Sequence, residues 1–245
     1  MKNNKYELQF NKLFNSVRTY RNVSLKAACY GLCSESMMYY IESGERLPGY
    51  QLRNRIMARL GISSEEYEDF LQYDEYDRWL ECQKLISAVE TLDVKSADRL
   101  IESLLTSLEP DNIVELQFLL EIQGRIMELK EVAWENIMQK YEEAVNATLP
   151  NINLLTIKNY LLSPEEYYVI LRYLRARGKI KKLTDKSYLI HAYKNICESI
   201  TNSYFQDYAL SKVYPMAVCY WYEYVRDEAS LLSDFSIILW KNSEK

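Results

Sequence analysis

Within the run Ser34 to Tyr40, the side chains of Ser34, Glu35, Ser36, Met37, Tyr39 and Tyr40 are of kinds that meet a nucleic-acid groove. A carboxylate such as Glu35 accepts from the amino group of cytosine, and a tyrosine donates to phosphate or touches a thymine methyl. Ser24 and Lys26 before this run, and Arg46 and Arg53 after it, supply hydroxyl and cationic partners for phosphate. Other chemistry finds little to use. His191 is the single histidine and lies on an apolar helical stripe, no glycine-rich phosphate loop exists, and the five cysteines (Cys29, Cys33, Cys82, Cys197, Cys219) show no paired Cys-x-x-Cys spacing. The sequence therefore predicts no catalytic residues, no metal and no cofactor, with all five thiols reduced.

The elements that must position the groove-facing run are short helices. From Ser24 to Leu60 the chain reads SLKAACYGLCSESMMYYIESGERLPGYQLRNRIMARL. Gly31 is expected to stop one short helix by taking the left-handed conformation, and Ser34 to cap the next with its hydroxyl. Ala28, Cys33, Met38 and Ile41 then fall where two helices meeting at a wide angle bury them, leaving Glu35, Ser36, Met37, Tyr39 and Tyr40 outward. Ahead of this pair, Leu8, Phe10, Leu13, Phe14 and Val17 predict a helix ending near Tyr20. Gly44, Pro48 and Gly49 make Glu42 to Gly49 a loop, and Leu52, Ile56, Met57 and Leu60 form a fourth helix stopped by Gly61. A capping box from Ser63 to Glu66 opens a fifth, Glu65 to about Gln72.

Ser24, Cys29, Gly31, Ser34 and the run Ile41, Glu42, Gly44, Arg46, Pro48 together resemble the frame of the XRE family of phage-repressor-like helix-turn-helix regulators. The resemblance implies a five-helix DNA-binding head over residues 1–72. It also implies that Arg18 of the first helix pairs with Glu42 at the end of the recognition helix, so that Arg18→Ala would cost about 3 to 5 kcal/mol. The outward positions depart from the family's usual Gln, Arg, Ser, Thr or Lys, since Leu25, Glu35, Met37 and Tyr40 stand there. A head kept for its shape is the competing expectation.

With 48% hydrophobic residues and only 6 Gly and 5 Pro in 245 residues, the composition favours an all-α chain of two units. The 22 tyrosines suit helix packing with the ring buried and the hydroxyl at water. The net charge of -5 divides unevenly: residues 1–70 carry ten Lys plus Arg against eight Asp plus Glu, a balance of +2, and the rest carries -7. From Leu8 to Leu60 the balance is eight against three, or +5, including Arg18, Arg21, Lys26, Arg46, Arg53, Arg55 and Arg59, which supports phosphate contact modestly. An acidic stretch from Glu65 to Glu81 marks the boundary between units. No apolar run reaches the ~20 residues of a membrane helix, and a cytoplasmic protein is expected.

Residues 73–245 read as eight helices with short polar breaks, among them the stripe Trp134, Ile137, Met138, Tyr141 and Val145. The longest interruption is Asn146 to Leu162, after which Ser163, Pro164 and Glu166 form a cap, a first-turn proline and a capping box. Short breaks predict antiparallel neighbours. Hairpins beginning near 74, 111, 164 and 206 are longer and less regular than the roughly 34 residues of a tetratricopeptide repeat. Such a head followed by tetratricopeptide-like hairpins resembles bacterial regulators of the Rgg and PlcR kind. That resemblance implies a homodimer that binds double-stranded DNA and senses a short peptide or protein ligand. Asn159, Tyr160, Tyr193, Asn195 and Asn202 are the candidates for gripping a peptide backbone. The basic run Arg172, Arg175, Arg177, Lys179, Lys181 and Lys182 reads as a solvated helix end. The competing function is a non-enzymatic adaptor in which the head is vestigial and the helical array binds another protein.

Overall fold

A computed structural model describes residues 7–62, 73–180, 185–204 and 207–226, and these are all-helical. The first four helices are α1 (Glu7–Tyr20), α2 (Leu25–Cys29), α3 (Glu35–Ser43) and α4 (Tyr50–Arg59). The array that follows comprises α5 (Tyr73–Glu90), α6 (Val94–Thr106), α7 (Ile113–Leu129) and α8 (Trp134–Thr148), then a 3-10 turn over Leu154–Asn159, α9 (Pro164–Lys179), α10 (Lys186–Thr201) and α11 (Asp207–Val225). The expected fifth helix of the head and the final stripe, Leu231, Phe235, Ile238 and Leu239, lie outside the described residues.

Local chemistry sets the ends of the head's helices. Ser24 Oγ accepts from Ala27 N–H at 3.1 Å and Ser34 Oγ from Met37 N–H at 3.1 Å, so α2 and α3 each start on a serine cap. Gly31, at φ +66°, turns the backbone between them, and Gly44, at φ +84°, closes α3. Phe10, Phe14, Ala28, Met38, Ile41 and Ile56 form the head's core. Cys33, expected inside, is only half-buried, and Leu32 beside it is the inward residue. The turn presents the side chain before Cys33 to the core, so the buried position moves by one.

The head does not close on itself. Val114 of α7 is a buried member of its core, with Ile113 and Leu161 packed against it. A Cβ on Gly31 would run into the carbonyl of Thr148 and the ring of Pro150, and one on Gly61 would run into the carbonyl of Tyr204. Both glycines therefore serve the contact with the array as well as a left-handed φ.

In the array, α5 packs on α6, α7 on α8, and α10 on α11 and the 3-10 turn, while α9 lies chiefly against α8 and α11. The expected α9–α10 hairpin is thus not the closest pairing. The interruption is also shorter than expected, because α8 runs to Thr148 and the 3-10 turn buries Leu154 and Ile157. The arginines of the basic run are not solvated, whereas Lys179 at the end of α9 is exposed as expected: Arg172 pairs with Glu121 at 2.7 Å and Arg175 with Glu128 at 2.8 Å, tying α9 to α7, while Arg177 lies over the ring of Tyr188. Helix spacing in the sequence does not reveal that acids of α7 face these arginines. Lys181 and Lys182 lie outside the described residues. Among the described residues, no helix is long and apolar enough to cross a membrane.

Candidate nucleic-acid interface

The outer face of α3 is open. Glu35 and Ser36 are exposed, Tyr39 is 58% and Tyr40 47% exposed, and the two rings meet edge to face at 6.0 Å. Ser24, Lys26 and Arg46 are exposed as well. Met37, expected outward with them, is half-buried against the head's core. Met37 packs partly on the head's core and lines a groove together with Leu47.

Behind that face, Arg18 holds the end of α3. Its Nε and Nη2 donate to Glu42 Oε1 at 2.9 and 2.6 Å, its Nη1 donates to the carbonyl of Val23 at 2.7 Å, and Asn15 adds a further bond to Glu42 at 2.7 Å. The guanidinium thereby fixes the α1–α2 connection and the exit of α3 at once.

Arg53 does not join the outer face. It is 3% exposed, donates to the carbonyl of Pro48 at 2.7 Å and pairs with Glu75 of α5 at 3.6 Å. Glu75 also accepts from Tyr50 N–H at 2.8 Å, where α4 has no side-chain cap of its own. A carboxylate of the array thus supplies what the start of α4 lacks, and draws Arg53 inward.

The other bases of α4 are also spent on the array. Arg59 is 1% exposed, donates from Nε and Nη2 to Glu166 at 2.9 and 2.5 Å, and donates from Nη1 to the carbonyls of Ala28 and Tyr30 at 3.2 and 2.7 Å. Arg55 donates to Gln117 and lies 3.6 Å from Glu166. Glu166 further accepts from Thr148 Oγ1 at 3.0 Å and from the N–H of Ser163 at 2.8 Å. Burial pushes its carboxyl up, but the charges of Arg59 and Arg55 and the hydrogen bonds from Arg59 and the Ser163 N–H outweigh burial and hold it below the ordinary 4.5. The Arg55 and Arg59 spacing, which places both on one face of α4, was the available sign of this cluster. Glu166 was legible only as half of a capping box.

The candidate peptide residues separate. Asn159, Tyr160 and Asn202 come together with Ser24 along a cleft of about 420 Å³ between head and array. Tyr193 does not belong there, being wholly buried in the array core. Asn195 donates its amide to the carbonyl of Leu155 at 3.0 Å, and Asn202 donates to Glu198 of its own helix at 2.8 Å, so both serve local structure. His191 is exposed and contacts the carbonyl of Ser187 at 2.7 Å. Among the described residues, no group of His, Cys, Asp and Glu could hold a metal. Burial pushes the thiols of Cys33 and Cys82 up to about 11 and that of Cys197 to about 12, which keeps them protonated. No protein-family model matches the chain, and no curated protein or solved structure matches it either.

Proposed function

We propose that the chain is a DNA-binding transcriptional regulator of the XRE helix-turn-helix type, with α3 as the reading helix and a tetratricopeptide-like array that dimerises or senses a peptide or protein partner. The observation that carries this reading is the uncovered outer face of α3, where Glu35, Ser36, Tyr39 and Tyr40 remain in solvent although the head is docked on the array by its opposite side. A dimer would set two such helices about 34 Å apart on successive turns of the major groove. The exposed cations Lys12, Lys26 and Arg46 would meet phosphates.

Fragments selected from the source genome by the full-length protein test the reading. Binding should weaken with salt by a slope of about -0.9 per phosphate contact, and Arg46→Ala should reduce that slope by about 1 per head. Failure to bind any fragment would overturn it. The adaptor reading has an observation of its own. Arg18, Arg53, Arg55 and Arg59 are committed to internal carboxylates, so the head's surplus of positive charge is mostly absent from its surface.

A further inference from the structure

A groove of about 470 Å³ runs between the head and the array, beside α3 and apart from the cleft that holds Asn159 and Tyr160. Met37, Leu47, Pro48 and Leu52 form its head wall, and Trp79 of α5 its array wall. Met37, Leu47 and Leu52 are only partly covered by the head's core, and Trp79 is 36% exposed with Tyr76 stacked on it at 5.9 Å. This is apolar surface of a size that takes the side chains of a short segment.

The charge along the lips is uneven. Arg78 and Glu115 cancel at 2.5 Å, and Glu75 is engaged by Arg53 and Tyr50. What remains on the array side is Glu109 and Asp111, both exposed and outside every ion pair of the described residues. On the head side only Arg46 remains. A duplex would be repelled by the array lip, whereas a cationic segment is drawn to it.

We propose that this groove docks a segment of a partner protein that presents a bulky apolar side chain flanked by Lys or Arg, the apolar group entering beside Trp79 and Leu52 and the cations meeting Glu109 and Asp111. Because Met37 and Arg46 belong both to this groove and to the surroundings of the reading face, an occupied groove competes with a duplex for the same head. That consequence alone rests on the regulator reading.

The test uses the full-length protein without DNA. Fluorescent 12-residue synthetic peptides with a central Leu-Trp pair are flanked by four Lys, four Ser or four Glu, and binding is followed by anisotropy. The Lys-flanked peptide should bind, and Glu109→Lys with Asp111→Lys should weaken it by about tenfold or more. Trp79→Ala should weaken it as well, with circular dichroism and melting temperature showing that the variant folds. A control pair, Glu135→Lys with Glu142→Lys on the exposed side of α8, should leave binding unchanged. No binding by the Lys-flanked peptide, equal loss in the control pair, or equal binding of all three peptides would overturn the proposal. Competition with a selected genomic fragment is measured separately, so loss of DNA binding alone leaves the peptide result readable.

Discussion

On the inner side of the head, Arg55 and Arg59 are 7% and 1% exposed and enclosed by Glu166, Gln117 and backbone carbonyls, whereas on the outer side Lys26, Arg46, Tyr39 and Tyr40 stand in water. Cationic side chains lie on both sides. What differs is what faces them: the inner cations meet α7 and α9 of the array, which exclude water, so their charge acts as structure, while the outer cations remain available to a partner. A count of net charge cannot separate the two roles, although the residues that drive it are mostly the inner ones.

Breaking the inner side should have the largest effect. Arg59→Met removes the bidentate partner of buried Glu166, leaving it the Arg55 charge at 3.6 Å and the bonds from Thr148 and Ser163, and a loss of about 3 kcal/mol is expected from the denaturant midpoint at constant m-value. A loss under about 1 kcal/mol would mean that water reaches the cluster and that the two sides differ less than the burial implies.

Next comes Gly31→Ala. The left-handed φ disfavours a Cβ by about 1 to 2 kcal/mol, and the Thr148 carbonyl and Pro150 ring must also move, so at least ~2 kcal/mol, or a melting temperature lower by roughly 4 to 8 °C, is expected.

Arg18→Ala should cost about 1 to 3 kcal/mol by thermal melting. That is less than the sequence suggests, because Glu42 is 10% exposed and keeps its bond from Asn15.

Acid sharpens the same comparison. The folded chain holds Glu166 ionised more readily than the unfolded chain does, so its contribution is complete above about pH 4.5 and is lost as pH falls through the depressed folded value. The urea midpoint of the wild type should therefore fall more steeply below pH 4.5 than that of Glu166→Gln, and parallel profiles would show the carboxylate to be uncoupled from folding.

The outer side should give the smallest change in stability. Arg46→Ala and Tyr39→Ala are expected to stay within about 0.5 kcal/mol of the wild type.

Helix positions were largely legible because amphipathic spacing, serine caps and glycine stops act within a few residues. Ser24, Ser34, Gly44 and the Ser163–Glu166 box sit where their local chemistry places them. The outer face of α3 was legible for the same reason, apart from Met37. Sequence could not distinguish Arg53, Arg55 and Arg59 from surface bases, since their partners Glu75, Gln117 and Glu166 are distant along the chain. Tyr193 was misread for a related reason: a tyrosine on a helix looks alike whether α11 covers it or not.

The sequence by itself determined the helical class and the serine-capped pair that presents Glu35, Ser36, Tyr39 and Tyr40, because these depend on residue type and short-range spacing. Only the tertiary structure decided that the head is seated on the array, that Gly31 and Gly61 are sites of close approach, and that the arginines of α4 are internal. Those outcomes depend on which surfaces come into contact, and the energy of a charge is set by the groups and the water around it.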